Sequence, residues 1–259
     1  MLNVSSLCAR HADGNFALKN ITFNLKKGEI LAVLGANGAG KSTLIKALTA
    51  LLPIEQGEVD LLGKPLKDYS RKELARKMAY VPQFSYSWSD YNVEELVLLG
   101  RYAHRERFQK ISQKDRDAVE LALMETGTEH LRKRQIMSLS GGERQRVTIA
   151  KCLAQEPSLL MMDEPINHLD LMQQVEIASL IHDLANHGKR SILIVLHDLS
   201  LAYHLADRIL LLKDGEQVGL GPSKDVLTEE SIKEAFGIDT IFLQVPEQDR
   251  VIIETNLTF

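Results

Sequence analysis

Four short runs of uninterrupted apolar residues punctuate the chain, at Ile30–Leu34, 159–162, 192–196 and 209–212, each bounded by polar or turn residues. Apolar positions that run on for four or five residues, rather than alternating, suit strands covered on both faces, as in a parallel sheet wrapped by helices. Helical spacing fills the gaps. It predicts helices over 41–52, stopped by Pro53, over 143–155, stopped before Pro157, and over Leu171–Asn186, where Gly188 can supply a left-handed C-terminal cap. Strands alternating with helices define the α/β class. Residues 84–139 break the rhythm, with helical patterns at 93–102 and 112–126 and no convincing strand, and read as a helical insertion. Beyond residue 228 the pattern predicts a small helix at 231–236 and two strand-like pieces at 241–245 and 250–254. No internal repeat and no low-complexity tract is visible.

The chemistry clusters where these elements meet. Gly35-Ala36-Asn37-Gly38-Ala39-Gly40-Lys41-Ser42 follows a buried strand and opens a helix, the arrangement of a phosphate loop. Glycines let the loop curl so that backbone N–H groups face phosphate oxygens, and the helix presents its positive end to the same anion. Lys41 is expected on the β- and γ-phosphates, Ser42 on Mg²⁺ and the Thr43 hydroxyl near the α-phosphate. The apolar run 159–162 ends in Asp163 and Glu164, of which the first suits a Mg²⁺ shell and the second can orient or deprotonate a water. Capping of the next turn is the plain alternative. The run 192–196 likewise ends in His197 and Asp198. All three groups lie just past the carboxyl ends of buried strands, where open α/β sheets bind ligands, so they are expected to converge. Ser140, Gly141, Gly142 and Glu143, ahead of a helical run, make a second exposed helix N-terminus, or merely a turn that starts a helix.

Composition narrows the class without changing this picture. Of 259 residues 44% are hydrophobic and 25% charged, the balance of an ordinary globule with a core. The longest apolar runs are five residues, far short of the roughly 20 needed to cross a bilayer as a helix. Residues 1–10 lack a basic start followed by an apolar stretch, so no secretory leader is expected and the chain is expected in the cytosol. Cys8 and Cys152 are read as structural. With 31 basic against 35 acidic side chains the net charge is -4, which asks for no nucleic-acid partner. The basic clusters 101–107 and 132–134 read as a solvated helical face, with a protein-contact surface as the alternative.

Taken together, these segments resemble the ATP-binding subunits of ABC transporters over nearly the whole chain. Residues 35–43 match the Walker A loop, 139–145 the family signature and 159–164 the Walker B strand. Gln83 matches the Q-loop, Asn167-His168-Leu169-Asp170 looks like the D-loop, and His197 matches the switch histidine. The resemblance implies a P-loop NTPase ABC cassette with a mainly parallel core sheet, an antiparallel β portion at the N-terminus and an inserted helical subdomain. Its expected layout is a discontinuous ATP-binding core (1–83 and 140–227), a helical subdomain (84–139) and a C-terminal extension (228–259).

What the resemblance implies for mechanism is a homodimer packed head to tail, in which Ser140, Gly141, Gly142, Glu143 and Asp170 complete the partner's ATP site. Glu164 is then the residue that polarises water and His197 the one that holds the γ-phosphate. Gln83 senses Mg²⁺ alongside Ser42 and Asp163. Adenine stacking falls to His11, with Phe16 as the alternative, and Ile166 replaces the family's frequent Thr or Ser. Residues 96–102 with His104 look like the importers of iron-siderophore complexes, haem or cobalamin. Such a chain is expected at the cytoplasmic side of the inner membrane, bound to two permease subunits that face a periplasmic or surface substrate-binding protein. Tyr86, Trp88 and Tyr91 are candidates for the permease contact. Molybdate or another metal or oxyanion as cargo, a non-transport ABC ATPase, and a small-molecule kinase or GTPase are the alternatives.

Overall fold

The computed structural model of the chain describes residues 1–10, 16–83, 90–106, 108–188, 190–245 and 250–256. Two units emerge: Met1–Asp68 with Leu193–Phe259, and Tyr69–Ile192. The first begins with strands β1 (Leu2–Arg10) and β2 (Phe16–Leu25), an antiparallel pair in register from Leu2 opposite Leu25. Along β1, Leu2 and Val4 and then Leu7 and Ala9 are buried while Asn3, Ser5 and Ser6 face solvent, a period-two pattern whose phase shifts by one residue at the irregularity around Ser6 (φ 49°). Next come the fully buried β3 (Ile30–Leu34), helix α1 (Lys41–Leu48), and strands β4 (Gln56–Leu61) and β5 (Lys64–Pro65).

The second unit holds α2 (Arg71–Ala75), β6 (Met78–Val81), α3 (Val93–Leu99), α4 (Gln113–Glu125), α5 (Gly141–Leu153), β7 (Leu159–Asp163) and α6 (Leu171–Asn186). Strands β6 and β7 run parallel, Met78 opposite Leu159, and α5 packs on β6 and on α3, α4 and α6. Strand β8 (Ser191–Val195) carries the chain back to the first unit. There follow α7 (Leu199–Leu205), β9 (Arg208–Lys213), β10 (Glu216–Pro222), α8 (Ser223–Val226), α9 (Glu229–Phe236) and the antiparallel hairpin β11 (Thr240–Val245) and β12 (Arg250–Thr255). Within the first unit the strands lie in the order β5-β4-β1-β2-β10-β9-β3, antiparallel at the β1 side and parallel between β3 and β9. The sheet is therefore mixed: the antiparallel portion expected at the N-terminus is present, and a second antiparallel pair, β9 with β10, lies late in the chain, β10 running parallel to β2.

All four apolar runs are strands, β3, β7, β8 and β9, and their apolar residues are buried. The helix expected over 41–52 ends at Leu48, because Ala50 turns left-handed (φ 56°) and the N–H groups of Leu51 and Leu52 both return to the Lys46 carbonyl. Helix α5 starts two residues earlier than expected and stops at Leu153. Gly188 does not take the left-handed conformation; its role is space, since a Cβ there would meet the Leu184 carbonyl oxygen at 2.6 Å. The pattern at 93–102 divides into α3 and a 3₁₀ turn, Gly100–His104. Among the described residues of 84–139 the only strand-like pairing is the single bridge Asn92–Gln135.

The solvated basic face fails at its first residue. Arg101 is 1% exposed: its Nε donates to Asp115 Oδ1 (3.1 Å), and its Nη1 donates to the Ala154 carbonyl and Glu156 Oε2 (2.7 Å each). Beside it, a Cβ on Gly100 would lie 2.2 Å from the Lys151 carbonyl oxygen, so glycine is what lets this turn close on α5. A guanidinium next to an apolar helical run is thus a core residue, paired because an unpaired one could not stay buried.

Candidate nucleotide site

In the first unit, residues 35–40 join β3 to α1 as a tight loop. Gly40, at φ 101°, has no room for a side chain: a Cβ would sit 2.8 Å from the Ala17 carbonyl oxygen. Lys41 is buried, and its Nζ donates to the carbonyls of Gly35 (2.7 Å) and Ala36 (3.0 Å), which folds the ammonium over its own loop. Neither a side-chain cap nor an acidic residue occupies the first turn of α1, so the positive end of the helix is not offset by a carboxylate there. Ser42 is exposed and Thr43 half-buried. The Leu196 N–H bonds the Val33 carbonyl at 3.3 Å, so exposed His197 leaves the end of β8 beside the end of β3, from which the loop departs. Asp198 caps α7, accepting from the Leu201 N–H at 2.9 Å.

The second unit assembles the carboxylates. Asp163 ends β7 and is 5% exposed; the Tyr80 hydroxyl on adjacent β6 donates to its Oδ2 at 3.4 Å. Burial first, and the Asp163 charge second, push the Tyr80 phenol up to about 12, so it remains a donor. Glu164 adopts a left-handed backbone (φ 51°), a strained conformation for a residue with a Cβ. Its Oε2 accepts from Gln83 Nε2 and from Asn167 Nδ2, the latter at 2.6 Å. Three residues expected in the site, Gln83, Asp163 and Glu164, therefore sit at the carboxyl ends of two adjacent strands. Asn167 joins them; its sequence signal is an amide three residues past the carboxylate, across a turn closed by the Asn167 N–H on the Glu164 carbonyl (3.2 Å).

Ser140 begins α5 as a reciprocal cap: its Oγ accepts from the Glu143 N–H (3.2 Å), and Glu143 Oε2 accepts from the Ser140 N–H (2.7 Å). That backbone bond, with Arg134 and Arg146 nearby, holds the Glu143 carboxyl below its ordinary range despite partial burial. Gly142 is buried against Gln173, whose Cγ a Cβ would approach to 2.8 Å. Asp170 caps α6 through the Gln173 N–H at 2.9 Å, so the segment 140–143 and the segment 167–170 are neighbours. Ile166 is buried. His11, Tyr86 and Trp88 lie outside the described residues; Phe16 opens β2, and Tyr91 is 37% exposed.

A phosphate loop on one strand, paired carboxylates on another and a Ser-Gly-Gly helix start define an ATP-binding cassette. The profile of the ABC transporter family matches residues 18–167, and the chain belongs to that family, as an ATP-hydrolysing subunit coupled to transport. Its relatives include an iron(3+)-hydroxamate import ATP-binding protein of Bacillus subtilis (strain 168), 37% identical over 92% of this chain and 88% of the relative. A hemin import ATP-binding protein of Pseudomonas entomophila (strain L48) is 38% identical over 99% of this chain and all of that protein. Among solved structures, an inward-facing metal-chelate type ABC transporter superposes with a TM-score of 0.87 at 31% identity, covering 100% of this chain and 97% of that one. A dimeric ATP-binding cassette in a post-hydrolysis state with ADP and phosphate gives a TM-score of 0.74 at 28% identity, over 86% of this chain and 99% of that one.

Proposed function

We propose that this chain powers the import of a metal chelate, in the class of iron-siderophore complexes, haem or cobalamin, by ATP-driven closure of a head-to-tail dimer beneath two permease subunits. The observation that carries the reading is that identities of 37% and 38% to the iron-hydroxamate and hemin relatives extend over at least 92% of the chain. No helix among the described residues is long and apolar enough to cross a membrane, which suits a subunit that reaches the bilayer through others. Its place is the cytoplasmic face, with a substrate-binding protein delivering cargo to the opposite side.

Each residue's role follows from its chemistry. Lys41 and the N–H groups of residues 35–43 bind the phosphates, and the hydroxyl of Ser42, the amide of Gln83 and the carboxylate of Asp163 are the hard oxygen donors that suit Mg²⁺. The buried Asp163 carboxylate, oriented by Tyr80, fits such a cation. When bound, Mg²⁺ neutralises charge on the phosphate oxygens. Glu164 orients the attacking water and takes up its proton, while the amides of Gln83 and Asn167 fix the carboxylate through Oε2. His197 holds the γ-phosphate. Ser140, Gly141, Gly142 and Glu143, with Asp170, present the capped start of α5 to nucleotide held by the partner copy, and the base stacks on His11 or, as the alternative, Phe16.

The test is ATP-dependent uptake by proteoliposomes carrying the chain with its permease. Labelled ferric hydroxamate or haem is expected to accumulate, and Glu164→Gln to stop it. Accumulation of molybdate with neither iron chelate moving would replace the cargo class.

A further inference from the structure

The C-terminal hairpin has no part in the site described, yet it is fastened to the helix that follows His197. Helix α7 begins two residues after that histidine and buries only Ala202 and Leu205. On its other face Ser200 Oγ accepts from the Ile253 N–H (2.9 Å) and donates to the Ile253 carbonyl (3.3 Å). One turn on, His204 Nε2 lies 2.7 Å from the Val251 carbonyl oxygen and 3.3 Å from its nitrogen. Between them the Tyr203 ring meets Phe242 of β11 edge-on, centroids 6.4 Å apart. The Tyr203 carbonyl, in turn, accepts from Ser223 Oγ at 2.9 Å.

The spacing explains why two side chains suffice. Residues four apart on a helix are separated by about 6.0 Å along its axis, and residues two apart on a strand by about 6.8 Å. The Val251 and Ile253 backbone groups that meet α7 lie on the edge of β12 away from β11; Ser200 bonds both the N–H and the C=O of Ile253, whereas His204 Nε2, one nitrogen, bonds one group of Val251, the shorter approach being to its carbonyl, so most of that edge is closed. Fixing two points one turn apart fixes the direction of a seven-residue helix and hence of its first turn, where Asp198 caps it and His197 precedes it.

We infer that Ser200 and His204 are positioning residues: by gripping β12 they set the orientation of α7 and, through it, of His197. The inference rests on the role proposed for His197. It gives the C-terminal extension a function, a brace on the residue that contacts the γ-phosphate.

The experiment uses the full chain with Ser200→Ala/His204→Leu, and with Ser200→Thr/His204→Gln, which keeps a hydroxyl and an amide in place. Readouts are ATP turnover, the KM for ATP, and the ring resonance of ¹³C-labelled His197. In the first variant the resonance is expected to move and kcat to fall about tenfold or more, a 1 Å misplacement of a reacting group costing up to about a hundredfold, with KM within about twofold. In the second, both are expected to return toward wild type. An unmoved His197 resonance in the first variant overturns the inference, as does a turnover loss that the second variant fails to restore. His197→Ala serves as the control. Wild-type turnover in that variant would overturn the role of His197 itself, whereas the resonance still tests the brace.

Discussion

Replacing Arg101 by Met isolates the energetic cost of a buried charge. Arg101 and Asp115 are 1% and 5% exposed at the side chain and bonded at 3.1 Å, whereas Glu156, the second carboxylate on Arg101, is 49% exposed and contributes little. Removing the guanidinium leaves Asp115 buried without its counter-charge, which costs about 3–5 kcal/mol. At a urea slope of about 3 kcal/mol per molar, the unfolding midpoint falls by about 1–1.7 M at pH 7. Burial alone would raise the Asp115 carboxyl, but the Ser112 hydroxyl and N–H, followed by Arg101, outweigh it and hold the group at about 2. Since that folded value lies below the unfolded one, the contribution is complete above about pH 4 and drains away as pH falls toward about 2. The gap between wild type and Arg101→Met is therefore expected to narrow in acid. Adding Asp115→Asn, which removes the stranded charge, is expected to recover part of the loss. A single variant within about 1 kcal/mol of wild type, or a double variant destabilised by the full sum of the singles, would mean that Asp115 does not depend on Arg101 for its buried charge.

Gly40→Ala places a Cβ 2.8 Å from the Ala17 carbonyl at a φ of 101°; a loss of ATP affinity of at least about tenfold is expected by fluorescent-nucleotide titration. Asn167→Ala removes one of the two amides on Glu164 Oε2, a charge-assisted bond of about 1.5–3 kcal/mol, so kcat is expected to fall about tenfold or more with KM for ATP unchanged. Asn167→Asp, setting two carboxylates together, is expected to be worse than Ala; wild-type turnover in it would contradict the clamp. Cys152, whose thiol burial pushes up to about 12, is expected to resist iodoacetamide at pH 8 until the chain is unfolded, whereas prompt labelling of the native protein would contradict its burial.

Much of this fold is legible in the chain because its signals are local. Uninterrupted apolar runs mark β3, β7, β8 and β9, and helical spacing places α4 and α5, whose reciprocal caps at Ser112 and Ser140 the structure adds. Strand β6 is only four residues and α2 only five, too short for periodicity to register, although Ser70 caps α2 in the same way. Helix α7 is hidden because its partner, β12, lies some fifty residues downstream and meets it through side-chain to backbone bonds. The site separates along the same line. Glycine spacing, strand-end carboxylates and Ser-Gly-Gly are contiguous in sequence, but the bonds of Tyr80 to Asp163 and Gln83 to Glu164 depend on β6 lying beside β7. Arg101 reads as a surface cation until α4 and α5 are seen to enclose it.

In the proposed cycle ATP joins two copies of this chain, and hydrolysis through Glu164 then dissolves the pair. Sedimentation velocity of Glu164→Gln with Mg²⁺, in ATP and in ADP, tests it most directly. A dimer in ATP and a monomer in ADP, with wild type dimeric only transiently, is the expected result. A chain that remains monomeric at saturating ATP while binding it normally would contradict the account.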